Sequence, residues 1–263
     1  MEAQTMDHQT PYYPPIRPFA AAAAMFRLMR NPQDTRQVFL LTEALRGRSM
    51  ASVLERFRNS PVGACILAEQ RSLVTILSDQ ARLAAMKPGS FGRTYYEFMA
   101  EEDLSAQGLV ELGADNAISL HRSSQDAQIF GARMRDMHDL YHVLCGYGRD
   151  EVGEICVLAF SYPQQKIRSF AVISRGGMYR IARMVSKLGG SGKMVRHAVQ
   201  EAARHGKQAA WLPGEELESM LEDDLAAVRA RLNIPAPTIY RQLITDIRAK
   251  TGRPTGPLVL NTH

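Results

Sequence analysis

Three absences narrow the possibilities first. Only three cysteines occur in 263 residues (Cys65, Cys145 and Cys156), with no CxxC pair. That leaves no disulfide framework and no zinc ribbon, and a reducing compartment is the natural setting. No apolar run approaches the roughly 18–20 residues that span a bilayer. The alanine block at Ala20 to Ala24 leads into Arg27 and Arg30, without the charged-apolar-small order of a secretion signal. Acidic residues near the start (Glu2, Asp7) argue against a transit peptide, so a cytoplasmic chain is expected. Flavin and nicotinamide motifs, the HExxH protease pattern, internal repeats and convincingly alternating strands are also missing.

What is present is ordinary globular material, 45% apolar and 22% charged, enough for one substantial core. Apolar residues recur at helical spacing in segment after segment. Helices are expected over residues 19–29, 34–45 with Asp34 as cap, and 49–57. Ser60-Pro61 opens a long helix through about Met86, which Lys87-Pro88-Gly89 ends. An aromatic turn follows at 90–99, then short helix and loop over 101–120. A helical hairpin occupies 124–160, and a helix at 167–188 is broken at Gly176-Gly177. Ser191 caps a helix that Gly206 stops. Pro213-Gly214-Glu215 starts another through Val228, and 238–249 forms a last one. The fold class is therefore all-α: one domain of about eight to ten mostly antiparallel helices over residues 25–250. A proline-rich N-terminal arm (1–24) precedes it and a loose tail (251–263) follows.

Charge is unevenly placed. Between Ile155 and Gln200 there is no Asp or Glu, yet eight Lys or Arg residues, although the whole chain carries only +5. Such a surface suits an anionic substrate or anionic headgroups. Nucleic acid is not expected, because no recognised module is present. Met178, Ile181, Met184, Val185 and Leu188, mixed with Arg180, Arg183 and Lys187, have the pattern of an interfacial amphipathic helix.

The densest chemistry lies in His138-Asp139-Leu140-Tyr141-His142, followed by Glu154. On a helix, His138 and His142 lie nearly one above the other, with Asp139 on the flank. Gly146-Tyr147-Gly148-Arg149-Asp150 is a break in which Asp150 can cap the next helix. Gly148 is the midpoint between His142 and Glu154, so an antiparallel hairpin returns Glu154 to the level of His142. Two imidazoles and two carboxylates suit zinc, iron, manganese or cobalt, and the carboxylates admit magnesium.

The same string, with Val143-Leu144, Gly146-Tyr147-Gly148 and Gly153-Glu154-Ile155 around it, resembles the signature of the coenzyme Q (ubiquinone) biosynthesis protein 4 family. Pro88-Gly89-Ser90-Phe91-Gly92 with Tyr95 and Phe98 is similar to that family's glycine–aromatic turn. The segments from Ala198 to Gly206 and Leu217 to Ile234 also resemble it. Phe91, in place of a usual leucine, and Cys145, in place of a small or aliphatic residue, depart from the pattern without touching a ligand position.

The resemblance implies a divalent metal, zinc first, held by His138, Asp139, His142 and Glu154. It further implies a polyprenylated aromatic or isoprenoid lipid as ligand. Peripheral attachment to the inner face of the cell membrane, and a place among ubiquinone-biosynthesis enzymes, are part of the same expectation. The implied reaction is oxidative removal of the ring carboxylate from a prenylated 4-hydroxybenzoate-derived precursor, leaving a hydroxyl. Tyr95, Arg175 and Arg180 are the candidate substrate contacts, and a homodimer is compatible. The alternative is a non-catalytic organiser that presents such lipids to partner enzymes.

Overall fold

The computed structural model describes residues 14–31, 34–100 and 124–252. The start of the proline-rich arm, the segment 101–123 and the tail from 253 lie outside the described residues. Within them the chain is one all-α domain whose sole β feature is an isolated bridge between Ser90 and Asp224. The helices are α1 (Pro18–Arg30), α2 (Thr35–Leu45), α3 (Ala51–Arg58), α4 (Pro61–Ala68), α5 (Leu73–Leu77), α6 (Gln80–Ala85) and α7 (Phe91–Ala100). After the undescribed stretch come α8 (Gln125–Cys145), α9 (Glu151–Gln165), α10 (Arg168–Lys187), α11 (Gly192–Gln208), α12 (Leu225–Arg231) and α13 (Thr238–Thr251). No described helix is long and apolar enough to cross a membrane.

Helix α9 is central. It packs against α8, α10 and α11, and α11 in turn carries α13. The main core gathers Met137, Leu140, Tyr141, Leu144, Phe160, Val185, Ala198 and Leu212 around it, while α1, α2 and Ile173 of α10 form a smaller, alanine-rich cluster.

Several boundaries differ from the sequence expectation, each for a physical reason. The long helix from Pro61 is broken into α4, α5 and α6. Gln70 takes a left-handed conformation, and the Asp79 carboxylate caps α6 by accepting from the Arg82 amide. The apolar spacing survives the breaks, since Ile66, Leu73, Leu77 and Leu83 are all buried. These divisions raise the number of described α-helices to thirteen. Gly176-Gly177 does not interrupt α10, nor does Gly206 stop α11. A Cβ on Gly177 would lie 2.7 Å from Ile155 Cγ2, and one on Gly206 only 2.1 Å from the Phe160 carbonyl oxygen. These glycines let α10 and α11 approach α9. The segment after Pro213 forms two short 3-10 turns (Leu212–Gly214 and Leu217–Met220) before α12 begins at the Asp224 cap. Here the backbone is drawn toward α7, where the amides of Phe91 and Gly92 donate to the carbonyls of Asp223 and Leu221. The apolar residues that gave 178–188 an interfacial look (Met178, Ile181, Met184, Val185) are turned into the core, and only Leu188 is exposed.

Arg133 of α8 ties that irregular segment down. Fully buried, it donates from Nη1 and Nη2 to the two oxygens of Glu218 at 3.0 and 2.8 Å, and from Nη2 to the Glu215 carbonyl at 3.0 Å. Burial alone would raise the Glu218 carboxyl, but the Arg133 hydrogen bonds and charge outweigh it and hold its pKa below the ordinary value. A carboxyl lowered in the folded state contributes stability above its unfolded pKa and loses it as pH falls through the folded one. Arg133→Met is expected to cost about 3–5 kcal/mol at neutral pH by leaving a buried charge underpaired. The penalty should shrink as Glu218 protonates in acid. Denaturant unfolding of both proteins across pH 3–7 measures this, and a penalty that stays constant or grows in acid would refute it.

Candidate metal centre

The turn between α8 and α9 sets the register of the site. Helix α8 ends in a left-handed Gly146 (φ 72°), with the amides of Gly146 and Tyr147 folding back to the His142 carbonyl. Asp150 starts α9 by accepting from the amides of Val152 and Gly153, as the sequence predicts. The Tyr240 hydroxyl of α13 fixes the turn from outside: it accepts from the Gly148 amide at 2.8 Å and donates to Asp150. Arg229 adds a second clamp, donating at 2.8 Å to the carbonyls of both Leu144 and Val143 at the end of α8.

The hairpin brings three of the four expected ligands together. The Nε2 atoms of His138 and His142 stand 3.3 Å apart, and Glu154 reaches them with Oε2 at 3.5 Å and Oε1 at 3.4 Å. Two donors bound to one tetrahedral ion at about 2.1 Å are separated by about 3.4 Å. The three separations are close to that value, each histidine facing a different oxygen of Glu154, and one donor atom from each residue can be chosen with all three within 4.8 Å of one another. His142 is fully buried and its Nδ1 lies 3.2 Å from the Tyr147 carbonyl, which needs a proton on Nδ1 and so leaves Nε2 as the lone-pair donor. The His138 and Glu154 side chains remain 32% and 38% exposed, so one side of the cluster is open.

The same groups are electrostatically coupled to one another. Burial opposes a charged His138, but the hydrogen bond and charge of Glu154 win and raise its pKa. Burial likewise opposes a charged Glu154, and the two imidazoles more than offset it, holding the carboxyl well below the usual range. The deprotonated Glu154 is the form a cation requires, while a bound cation would have to displace the proton that Glu154 favours on His138.

Asp139 stands apart from this set. It is nearly buried, and its Oδ1 accepts from Arg149 Nη2 at 2.7 Å. The same guanidinium lies over the Phe98 ring, 5.0 Å from its centroid, and Phe98 stacks at 5.5 Å on the His142 imidazole. A chain of contacts thus runs from Asp139 through Arg149 and Phe98 to the His142 ring of the cluster. Tyr95 is buried in the same neighbourhood, its phenol pushed up by burial and then by the charge of Asp139. Arg180 is paired at 2.6 Å with Glu151, one turn before Glu154. Arg175 is exposed on the outer face of α10. The structure places none of these three within the three-ligand cluster.

Arg149 was not among the sequence candidates. Its only sequence signal is a position inside the turn, next to the residue that caps α9. Asp139 and Arg149 are both largely desolvated, so losing one strands the other. Asp139→Asn and Arg149→Met are each expected to lower stability by about 3 kcal/mol, and the double variant by much less than the sum. Denaturant melts of the four proteins give the coupling, and strict additivity would dissolve the pair.

The profile of the family described as coenzyme Q (ubiquinone) biosynthesis protein Coq4 matches residues 7–238. The human protein named mitochondrial ubiquinone biosynthesis protein COQ4 homolog is 25% identical over 89% of this chain and 84% of its own length. Its Danio rerio counterpart is 26% identical over 86% and 78%. Among solved structures, one from Nostoc punctiforme PCC 73102, provisionally designated a ubiquinone biosynthesis protein, superposes with a TM-score of 0.59. It is 18% identical and covers 84% of this chain and all of its own, a likeness of fold.

Proposed function

This chain belongs to the coenzyme Q (ubiquinone) biosynthesis protein Coq4 family, and from that premise we propose that it holds a divalent metal ion through His138, His142 and Glu154 and acts with it on a prenylated aromatic acid. The reaction is the exchange of a ring carboxylate for a hydroxyl on a polyprenylated 4-hydroxybenzoate-derived intermediate. The carbon–carboxylate bond breaks with loss of carbon dioxide and a carbon–oxygen bond forms. Dioxygen supplies the oxygen atom, and an external reductant takes its second atom to water. The observation that carries the reading is the convergence of two imidazole nitrogens and the Glu154 carboxylate, with one donor atom of each within 4.8 Å of the others, beside an open face. Zinc suits two imidazoles and a carboxylate best, with iron, cobalt, manganese and magnesium as further candidates.

When bound, the metal would supply Lewis acidity toward a substrate carboxylate or phenolate. The chain's own groups do the remaining work. Tyr147 fixes the His142 tautomer, and Phe98 fixes its ring plane. The partly exposed edges of His138 and Glu154 would let a substrate group reach an ion held there, which a catalytic ion needs and a purely structural one does not. That openness favours an enzyme over a metal-clipped organiser of lipid intermediates. Asp139 acts in the outer shell by fixing Arg149, and is not itself a ligand.

His142→Ala and Glu154→Gln should purify folded with only a small fraction of the wild-type metal content. Asp139→Asn should keep the ion, with affinity weakened by about 10–100-fold as for an outer-shell loss. Metal analysis of purified proteins reads this directly. Cells relying on His142→Ala should accumulate a still-carboxylated prenylated precursor. Full metal content in His142→Ala would defeat the site, while normal quinone levels alongside metal loss would defeat only the chemistry. Turnover of the prenylated acid by purified protein with metal, dioxygen and reductant separates enzyme from organiser.

A further inference from the structure

Two cations meet at the end of α8 with no acid between them. Arg229 of α12 and Arg241 of α13 both reach toward Gly146, the left-handed residue that closes α8. A Cβ built on Gly146 would lie 3.5 Å from Arg229 Nη2 and 3.4 Å from Arg241 Nη2. The two guanidinium groups thus converge on one small region that a side chain at 146 would partly fill. Pro237 Cδ, 3.6 Å from the same point, borders it. Arg229 is half-buried and commits Nε and Nη2 to the carbonyls of Leu144 and Val143, while Nη1 has no acceptor among the described residues. Arg241 is exposed, and its guanidinium has neither a hydrogen-bond nor an ion-pair partner among the described residues.

Other arginines in close quarters are matched by acids. Arg71 and Arg133 share Glu218, Arg149 takes Asp139, and Arg180 takes Glu151. At Gly146 the balance is different. Burial and then the charge of Arg241 lower the Arg229 pKa, and no carboxylate is among the groups acting on it. Like charges held together without a counter-charge repel, and an anion from solution relieves that repulsion. We propose that Arg229 and Arg241 form an oxyanion site for phosphate or a soluble phosphate ester, seated over Gly146 between α12 and α13. A phosphoryl group suits the pair better than a carboxylate does. Its charge is about −1.5 to −2 at neutral pH, against two guanidinium groups, and separate oxygens can meet each of them. The bound anion ties α12 and α13 to the end of α8, one helical turn beyond His142. Glycine at 146 then serves twice, for its backbone conformation and for the space it leaves to the ligand. The inference does not depend on a metal at His138, His142 and Glu154.

The test is isothermal titration calorimetry and thermal melting of the full-length protein with inorganic phosphate, against chloride and acetate at matched ionic strength. Wild type should bind phosphate saturably and melt higher in it than in either control. Arg241→Gln should weaken phosphate affinity about tenfold or more, by removing a charged hydrogen-bonding partner. In phosphate-free buffer the same variant should melt at or above the wild-type temperature, because the repulsion on Arg229 is gone. Arg241→Lys keeps the charge without the planar fork and should bind with intermediate affinity. His142→Ala should bind phosphate as wild type does, which separates this site from the metal centre. The proposal is overturned by a wild type that responds to phosphate no more than to the control salts, or by an undiminished response in Arg241→Gln. Loss of the response in His142→Ala alone would put the anion at the metal centre and overturn it as well. So would a lower melting temperature of Arg241→Gln without phosphate, since Arg241 would then be a structural contact. None of these outcomes bears on whether His138, His142 and Glu154 hold a metal.

Discussion

Everything at the centre of this molecule depends on one short connection, the five residues from Gly146 to Asp150. A hairpin of two long helices has a free choice of register until its turn is fixed. Here the turn is held at both ends and from a third side. Gly146 closes α8, Asp150 opens α9, and the Tyr240 hydroxyl bridges Gly148 to Asp150 from α13. Shifting the turn by one residue would rotate Glu154 by about 100° on its helix and take its carboxylate away from the histidines. The clamps are buried, so the register is reinforced by packing as well as by hydrogen bonds. A site whose residues span sixteen positions of sequence, His138 to Glu154, is thus held from both helices at once.

That rigidity explains the division of labour around the cluster. The two histidines share one face of α8, but Asp139 lies to the side, toward the end of the turn where Arg149 projects. A buried carboxylate facing a guanidinium at 2.7 Å is already compensated, and turning toward the His–Glu cluster would strand that guanidinium. Its contribution passes through Arg149 and Phe98 to the plane of His142. Outer-shell groups of this kind hold a ligand ring in one orientation, which costs less on metal binding than ordering a free side chain.

Sequence reasoning recovered what depends on local periodicity and missed what depends on tertiary approach. The hairpin and the convergence of His138, His142 and Glu154 followed from helical spacing and a symmetric turn, because both are local geometry. Asp150 was legible as a cap for the same reason. Asp139 was not separable from the ligands, since its position on the flank is compatible with either role until its partner is known. Glycines misled in a consistent way. Gly176, Gly177 and Gly206 have the composition of helix breaks, but they lie where a side chain would collide with a neighbouring helix. A glycine that ends a helix and one that admits another helix differ only in the partner, which a single sequence does not display. The opposite error occurred after Pro213, where good helical spacing yields to backbone hydrogen bonds with α7.

Helix α10 shows how the acid-free stretch is put to use, and why its charge pattern alone was ambiguous. Read as a sequence, its apolar residues at 178–188 looked like a membrane face, yet they pack against α9 and α11. An amphipathic helix always has two sides, and the core has the stronger claim on the more apolar one. What remains outside is the sparser stripe of Val172, Tyr179 and arginines, with the exposed rings of α1 on the neighbouring helix. Arg180, between the two sides, turns inward to Glu151 and so connects the outer helix to the turn of α9 that carries Glu154. The same helix thereby supports the core, borders the candidate metal centre and supplies cations to the surface. The absence of acids over these residues is what lets the outward stripe stay cationic without competing for Arg180, whose partner comes from the neighbouring helix instead.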